Sequence, residues 1–269
     1  MDQLTQARRV PARTKRVPWR AIAFAGLLIV YVLLILGVVH RSPLITMDRD
    51  IWHLNLRARW PQWWSFLNTY VMLGQRAPST IVALPWFIWM CWRFRSARPL
   101  LTLGTALVVL NISVGVVKVA TGRQGPRQTH KVYDVFAGGD IFPSGHTANT
   151  VALYGVIAMV ACYYRVQFHK LVTIGAVFLS LTVGLCTIYL DTHWLTDVLG
   201  GWVAGGLVLL ALPTIMPYAE RVYDAVARRI KPRLRRLRRV RPIAIHPLRV
   251  EQLDGPGSDS GRERVPAQL

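Results

Sequence analysis

Apolar residues along this chain gather into long unbroken runs and do not alternate with polar ones, which signals buried or membrane helices and not half-buried strands. Residues 21–39 read AIAFAGLLIVYVLLILGVV without a charge, and five further runs follow over residues 78–92, 100–117, 147–164, 171–190 and 194–216. A bilayer core needs about 20 largely apolar helical residues to cross it. The pattern predicts an all-α fold, a polytopic membrane bundle of six transmembrane helices. The first run is longer than a signal-peptide core and no small-residue cleavage site follows it, so a retained helix is expected.

Two other segments carry different patterns. Segment 40–77 interleaves Trp52, Trp60, Trp63, Trp64, Phe66 and Tyr70 with Arg49, Arg57 and Arg59, the composition of helices lying in the membrane interface. It reads either as an aromatic belt that holds the bundle at depth or as a lipid-facing lip that admits an acyl or prenyl chain. Beyond the last run, Val222, Val226, Ile230, Leu234, Leu237 and Val240 recur three or four apart among Arg and Lys. That spacing predicts a basic amphipathic helix, interrupted or bent near Pro232, and residues 251–269 are expected to be disordered. The chain thus divides into a basic arm (1–20), two spans with the interfacial segment (21–97), a four-span core (98–216) and a basic tail (217–269).

Composition strengthens the membrane reading. Hydrophobic residues make up 52% of the 269 and charged residues 17%, against roughly 25% charged in soluble domains. Mean hydropathy is +0.31, which excludes an ordinary soluble globule. The net charge of +20 points to nucleic acid or an anionic membrane. Its distribution chooses the membrane: 24 of the 33 cations lie in the arm, the loops at 93–98 and 165–170, and the tail. By the positive-inside rule both termini are cytoplasmic, in a multi-pass protein of the plasma membrane, and segments 40–77, 118–146 and 191–193 face outward. The tail is then expected to bind anionic lipid, and nucleic acid is not expected. Cys91, Cys162 and Cys186 fall within or beside the runs and read as buried free thiols; no Cys/His spacing suggests a metal, and no cofactor is expected.

Candidate chemistry gathers on the outward side. Lys118 ends the third run and leads into Arg123, Arg127, His130 and Lys131. Gly138-Gly139-Asp140 precedes Pro143-Ser144-Gly145-His146 at the start of the fourth run, and His193 with Asp197 opens the sixth. His146 and His193 thus sit at helix amino termini, where unpaired N–H groups and the helix dipole favour an anion. Ser144 and Gly145 belong to the same entry, where glycine lets backbone approach a phosphate. His193 and Asp197, four apart, share a helix face, so the carboxylate orients one ring nitrogen and leaves the other as a nucleophile. His146 is placed to protonate a leaving alkoxide. Ionisable groups at this depth are expensive and default to function.

These residues resemble the type 2 phosphatidic acid phosphatase superfamily. Its pattern is Lys, six residues, Arg-Pro; then Pro-Ser-Gly-His; then Ser-Arg, five residues, His, three residues, Asp. Lys118 and Pro126 match the first motif, residues 143–146 match the second in full, and His193 with Asp197 match the end of the third. The resemblance implies a lipid phosphatase in which His193 attacks phosphorus through a phosphohistidine intermediate, Asp197 orients it and His146 is the general acid. Two motif arginines are absent: Gly125 stands before Pro126, and Cys186-Thr187 replaces Ser-Arg. Arg123 and Arg127 flank the gap and, with Lys118, Ser144 and Gly145, are the candidate phosphate contacts. A phosphodiester carries less charge and needs fewer cations, and the residues from Gly138 to Thr147 also look like sphingomyelin synthase and inositol-phosphoceramide synthase relatives. That resemblance implies a phosphotransferase moving a headgroup to a lipid alcohol, with Asp140 contacting acceptor or headgroup. A catalytically weak lipid-phosphate-binding protein is the third expectation.

Overall fold

The structure, a computed structural model, describes residues 19–238 except 130, 132 and 133, and every regular element among them is helical. The basic arm up to residue 18, His130 and the tail beyond residue 238, including its expected disorder, lie outside the described residues. Five helices are long and apolar enough to cross a membrane: α1 (Trp19–Val39), α6 (Arg98–Thr121), α7 (Gly145–Tyr163), α8 (His169–Tyr189), and the Leu195–Ile230 stretch of α9 (Leu195–Arg238). The chain is a multi-pass, all-helical membrane protein. The second expected span also folds as a helix, α5 (Arg76–Phe94), but Pro85 and its polar first turn leave it outside those five.

Segment 40–77 forms three short helices, α2 (Leu44–His53), α3 (Leu56–Arg59) and α4 (Trp64–Tyr70), with two 3-10 turns around α4. Trp60, Trp63, Trp64 and Phe66 are exposed along it. The start of the tail is helical, and of the interruption or bend expected near Pro232 no interruption occurs, since α9 runs through it to Arg238. The chain divides at Asp224 into two units, and the core and site described below lie in the first. Cys186 is buried as expected, whereas Cys162 is exposed and Cys91 half-buried; all three are free thiols. Cys162 sits in the last turn of α7, its Sγ 3.7 Å from the Thr173 hydroxyl of α8.

Helix α7 is the centre of the bundle and packs against α5, α6 and α8. Its small residues Ala148 and Ala152 are fully buried, and with Phe87, Met90, Leu110, Val114, Val156 and Leu212 they form the main core. Helix α9 reaches α7 through two glycines. A Cβ on Gly201 would lie 2.8 Å from the Ser144 carbonyl oxygen, and one on Gly205 would lie 2.6 Å from Val151 Cβ. Glycines four apart let two helix backbones approach closely, the usual device where lipid offers no hydrophobic drive to pack helices. Gly201→Val is therefore expected to push α9 off α7 at a cost of about 1–3 kcal/mol. Thermal unfolding in detergent checks this, and a wild-type melting temperature would refute the close crossing.

This crossing also fixes where chemistry can occur. At one end of the bundle α6 and α8 finish while α5, α7 and α9 begin, so Lys118, His146, His193 and Asp197 arrive at one level. At the other end Arg98 ties α6 to the Tyr163 hydroxyl of α7 and, at 2.9 Å, to Glu220 of α9.

Candidate active site

The loop from Thr121 to Ser144 is built to return the chain to the end of α6. Gly122 takes the left-handed conformation at φ +51° and ends the helix, its N–H donating to the Lys118 carbonyl at 2.9 Å. Backbone bonds from Phe136 N to Thr121 O and from Ile141 N to Arg123 O then draw the strand of loop back alongside. Ser144 is the N-cap of α7, its hydroxyl accepting from Thr147 N at 3.3 Å. Its N–H donates to the Asp197 carbonyl at 2.8 Å, which ties the start of α7 to the start of α9.

A cavity of about 500 Å³ opens at this end, lined by Arg76, Lys118, Asp140, Gly145, His146 and His193 among others. The imidazoles of His146 and His193 lie edge to face, with ring centroids 6.1 Å apart and planes at 66°. His193 Nδ1 is buried on the Asp197 side, 3.6 Å from Oδ2 and longer than a hydrogen bond, which leaves the other ring nitrogen for the cavity that His193 lines. The Lys118 ammonium donates to the Asp140 main-chain carbonyl, which holds it at the cavity wall.

Asp197 is fully buried and accepts from Arg123 Nη1 at 2.6 Å and from Trp194 N at 2.9 Å, while His193 Nδ1 stands 3.6 Å from it. Here the arrangement differs from expectation. Arg123 was expected at the phosphate, yet it has no exposed surface and bridges two carboxylates, Asp197 and Asp48, with Asp48 Oδ2 2.7 Å from Nη2. A buried guanidinium needs partners of opposite charge, and two acids satisfy it better than a cavity wall would. Asp48, from α2, also accepts from Thr196 N at 2.8 Å and from the Thr196 hydroxyl at 2.6 Å, closing the network over the first turn of α9. Burial pushes the Asp48 carboxyl up, and the Arg123 and Thr196 contacts pull it back. Trp194, itself buried, covers the guanidinium with its ring 5.7 Å away.

The remaining candidates separate similarly. Arg127 is exposed and donates from Nε and Nη2 to the Leu190 carbonyl, at 3.2 and 2.7 Å, so it caps the end of α8 outside the cavity. Ser144 is buried, its hydroxyl used within the α7 cap, while Gly145 lines the cavity with its backbone. Lys131 is exposed on the loop. At the positions of the missing arginines, Thr187 is fully buried and donates to the Gly184 carbonyl at 2.7 Å. A Cβ on Gly125 would stand 3.0 Å from Ile141 Cγ1, so a side chain there must displace Ile141. Sequence reasoning missed Asp48 and Arg76; the first carried the signal of an acid, with Asp50, in a basic aromatic segment, and the second carried none.

Residues 99–221 match the family model described as PAP2 superfamily. A 74-residue stretch is 39% identical to phosphatidylglycerophosphatase B of Bacillus subtilis (strain 168), spanning 25% of this chain and about a third of that protein, 34%. Among solved structures, the crystal structure of the first transmembrane PAP2 type phosphatidylglycerolphosphate phosphatase from Bacillus subtilis is similar at a TM-score of 0.58 and 22% identity, covering 72% of this chain and 96% of that one. The fold is shared with that enzyme, and residues 99–221, a little under half of this chain, are similar to the PAP2 superfamily.

Proposed function

We propose that the protein is an integral membrane lipid phosphatase that releases phosphate from a lipid phosphomonoester or diphosphate at the outer leaflet. The observation that carries the reading is the pair of neighbouring imidazoles, centroids 6.1 Å apart, in a cavity with cations on its wall. A phosphoryl group between them meets a nucleophile on one side and a proton donor on the other. In this mechanism the cavity-side nitrogen of His193 attacks phosphorus, and the bond to the lipid oxygen breaks as His146 gives that oxygen its proton. Water then attacks the phosphohistidine with His146 as base, restoring both rings and releasing inorganic phosphate. Asp197 holds the His193 tautomer, and the Lys118 ammonium with the Gly145 N–H at the start of α7 takes up phosphate charge.

The reading extends to topology. With α5 as a sixth span, Arg93, Arg95, Arg98, Arg165 and Lys170 fall on one side of the bundle and the cavity on the other, which supports cytoplasmic termini and an extracytoplasmic site in the plasma membrane. The 21–97 and 98–216 regions then cooperate in one site, while the tail beyond residue 217 is proposed to lie against anionic lipid. The relative named as a phosphatidylglycerophosphatase makes phosphatidylglycerophosphate the first substrate to try. Purified protein in detergent is expected to release free phosphate from phosphatidylglycerophosphate, phosphatidate or undecaprenyl diphosphate. Headgroup exchange without phosphate release would replace this reading with the transferase, with Asp140 beside the acceptor. Silence in both assays would favour a lipid-phosphate-binding protein.

A further inference from the structure

We propose that Arg76 is a phosphate-binding residue of this cavity, forming with Lys118 a two-cation clamp that stands in for the arginines absent at positions 125 and 187. The proposal rests on the phosphatase reading above and names a residue outside the segment that matches the family.

Arg76 is the first residue of α5, and an exposed arginine at a helix end is most often a headgroup anchor. Three observations distinguish it. First, it lines the same cavity as Lys118, His146 and His193, and its Nη2 comes within 4.0 Å of the point where a Cβ on Gly145 would stand, with Lys118 Cε at 3.7 Å from that point. The guanidinium and the ammonium therefore converge on the glycine whose bare backbone begins α7. Second, the base of Arg76 is locked to the helix that carries His146. The buried Asn149 amide donates at 3.1 Å both to the Gly74 carbonyl and to the Ser79 hydroxyl, on either side of Arg76. Gly74 itself presses so close to α7 that a Cβ there would sit 3.1 Å from the His146 carbonyl oxygen. Third, among the described residues no hydrogen bond or ion pair engages the Arg76 side chain. Arg123 and Arg127, the two cations nearest in sequence to the gap, are instead committed to Asp48 with Asp197 and to Leu190.

Two positive charges beside the amino terminus of α7 suit a group bearing close to two negative charges, so the clamp fits a terminal phosphomonoester better than a diester headgroup. The supply of charge has moved from the ends of α6 and α8 to the start of α5, while the two imidazoles keep their places.

The test uses the full chain purified in detergent, with Arg76→Gln, Arg76→Lys and, as a control at the far end of the same helix, Arg93→Gln. Steady-state hydrolysis of phosphatidylglycerophosphate and its inhibition by orthovanadate are measured for each. Arg76→Gln is expected to lower kcat/KM by about 10²-fold and weaken orthovanadate by about tenfold. Arg76→Lys recovers part of both, since it restores charge without the planar fork, and Arg93→Gln matches wild type. Values for Arg76→Gln within about twofold of wild type in both measurements overturn the proposal. If wild type hydrolyses no lipid phosphate, the phosphatase reading fails by itself, and orthovanadate-induced thermal stabilisation decides the clamp. Stabilisation seen in wild type and lost in Arg76→Gln supports it; stabilisation equal in the two, or absent from both, overturns it.

Discussion

Replacing His193 with alanine is expected to lower phosphate release by at least about 10⁴-fold while the protein still inserts and melts as wild type does. The expectation is large because a nucleophile acts as a unit with its orienting group and its acid, so removing it alone forfeits nearly the whole covalent pathway. The side chain is 6% exposed and contributes no hydrogen bond shorter than its 3.6 Å approach to Asp197, which is why the fold should tolerate the loss. Protein labelled from a radioactive lipid phosphate and quenched in alkaline detergent adds a second readout. Wild type should carry an acid-labile, base-stable label, and His193→Ala should carry none. His146→Ala leaves the nucleophile in place and should slow turnover by about 10²–10⁴-fold. Retained turnover in His193→Ala would end the phosphohistidine mechanism.

The second large effect concerns stability. Arg123→Met strips the charge from between Asp48 and Asp197, leaving two buried carboxylates facing a methionine. Breaking a buried pair from one side typically costs about 3–5 kcal/mol, which in a unit of this size lowers the melting temperature by roughly 6–20 °C. Asp48→Asn should cost less, because Asp197 keeps Arg123. The double variant should fall well short of the sum of the two, a coupling readable from a double-mutant cycle. Thermal melts in detergent check all three. A stable Arg123→Met that has lost orthovanadate binding would return Arg123 to the phosphate.

The helices were readable because a membrane span announces itself in a single window of sequence. The runs at residues 21–39, 100–117, 147–164 and 171–190 each lie within or almost within an observed helix, and only the tail of α9 and the apolar strength of α5 departed from the pattern. His146 and Asp197 were readable for a related reason, since each lies in the first turn of a helix, whereas His193 stands two residues ahead of α9 and reaches Asp197 from the preceding bend, not from a shared helix face. Arg123 was not readable. It follows the left-handed Gly122, after which the direction of the side chain depends on how residues 134–141 fold back, a fact that no local pattern carries. Asp48 and Arg76 lie outside the motif segment altogether. Their roles come from α2 and α5 meeting the starts of α9 and α7, contacts set by tertiary packing between residues 148 and 70 positions apart in the chain.

The Asp48 to Thr196 bonds bear on modularity. A fragment trimmed to the family-matched residues 99–221 would keep every motif residue and lose Asp48 from the ion network and Arg76 from the cavity wall. Grafting those four helices onto another amino-terminal half would transplant the imidazoles with only Asp197 of the two carboxylates that hold Arg123. The carboxyl-terminal half therefore depends on the amino-terminal one both for the second partner of Arg123 and for a cation of the cavity wall.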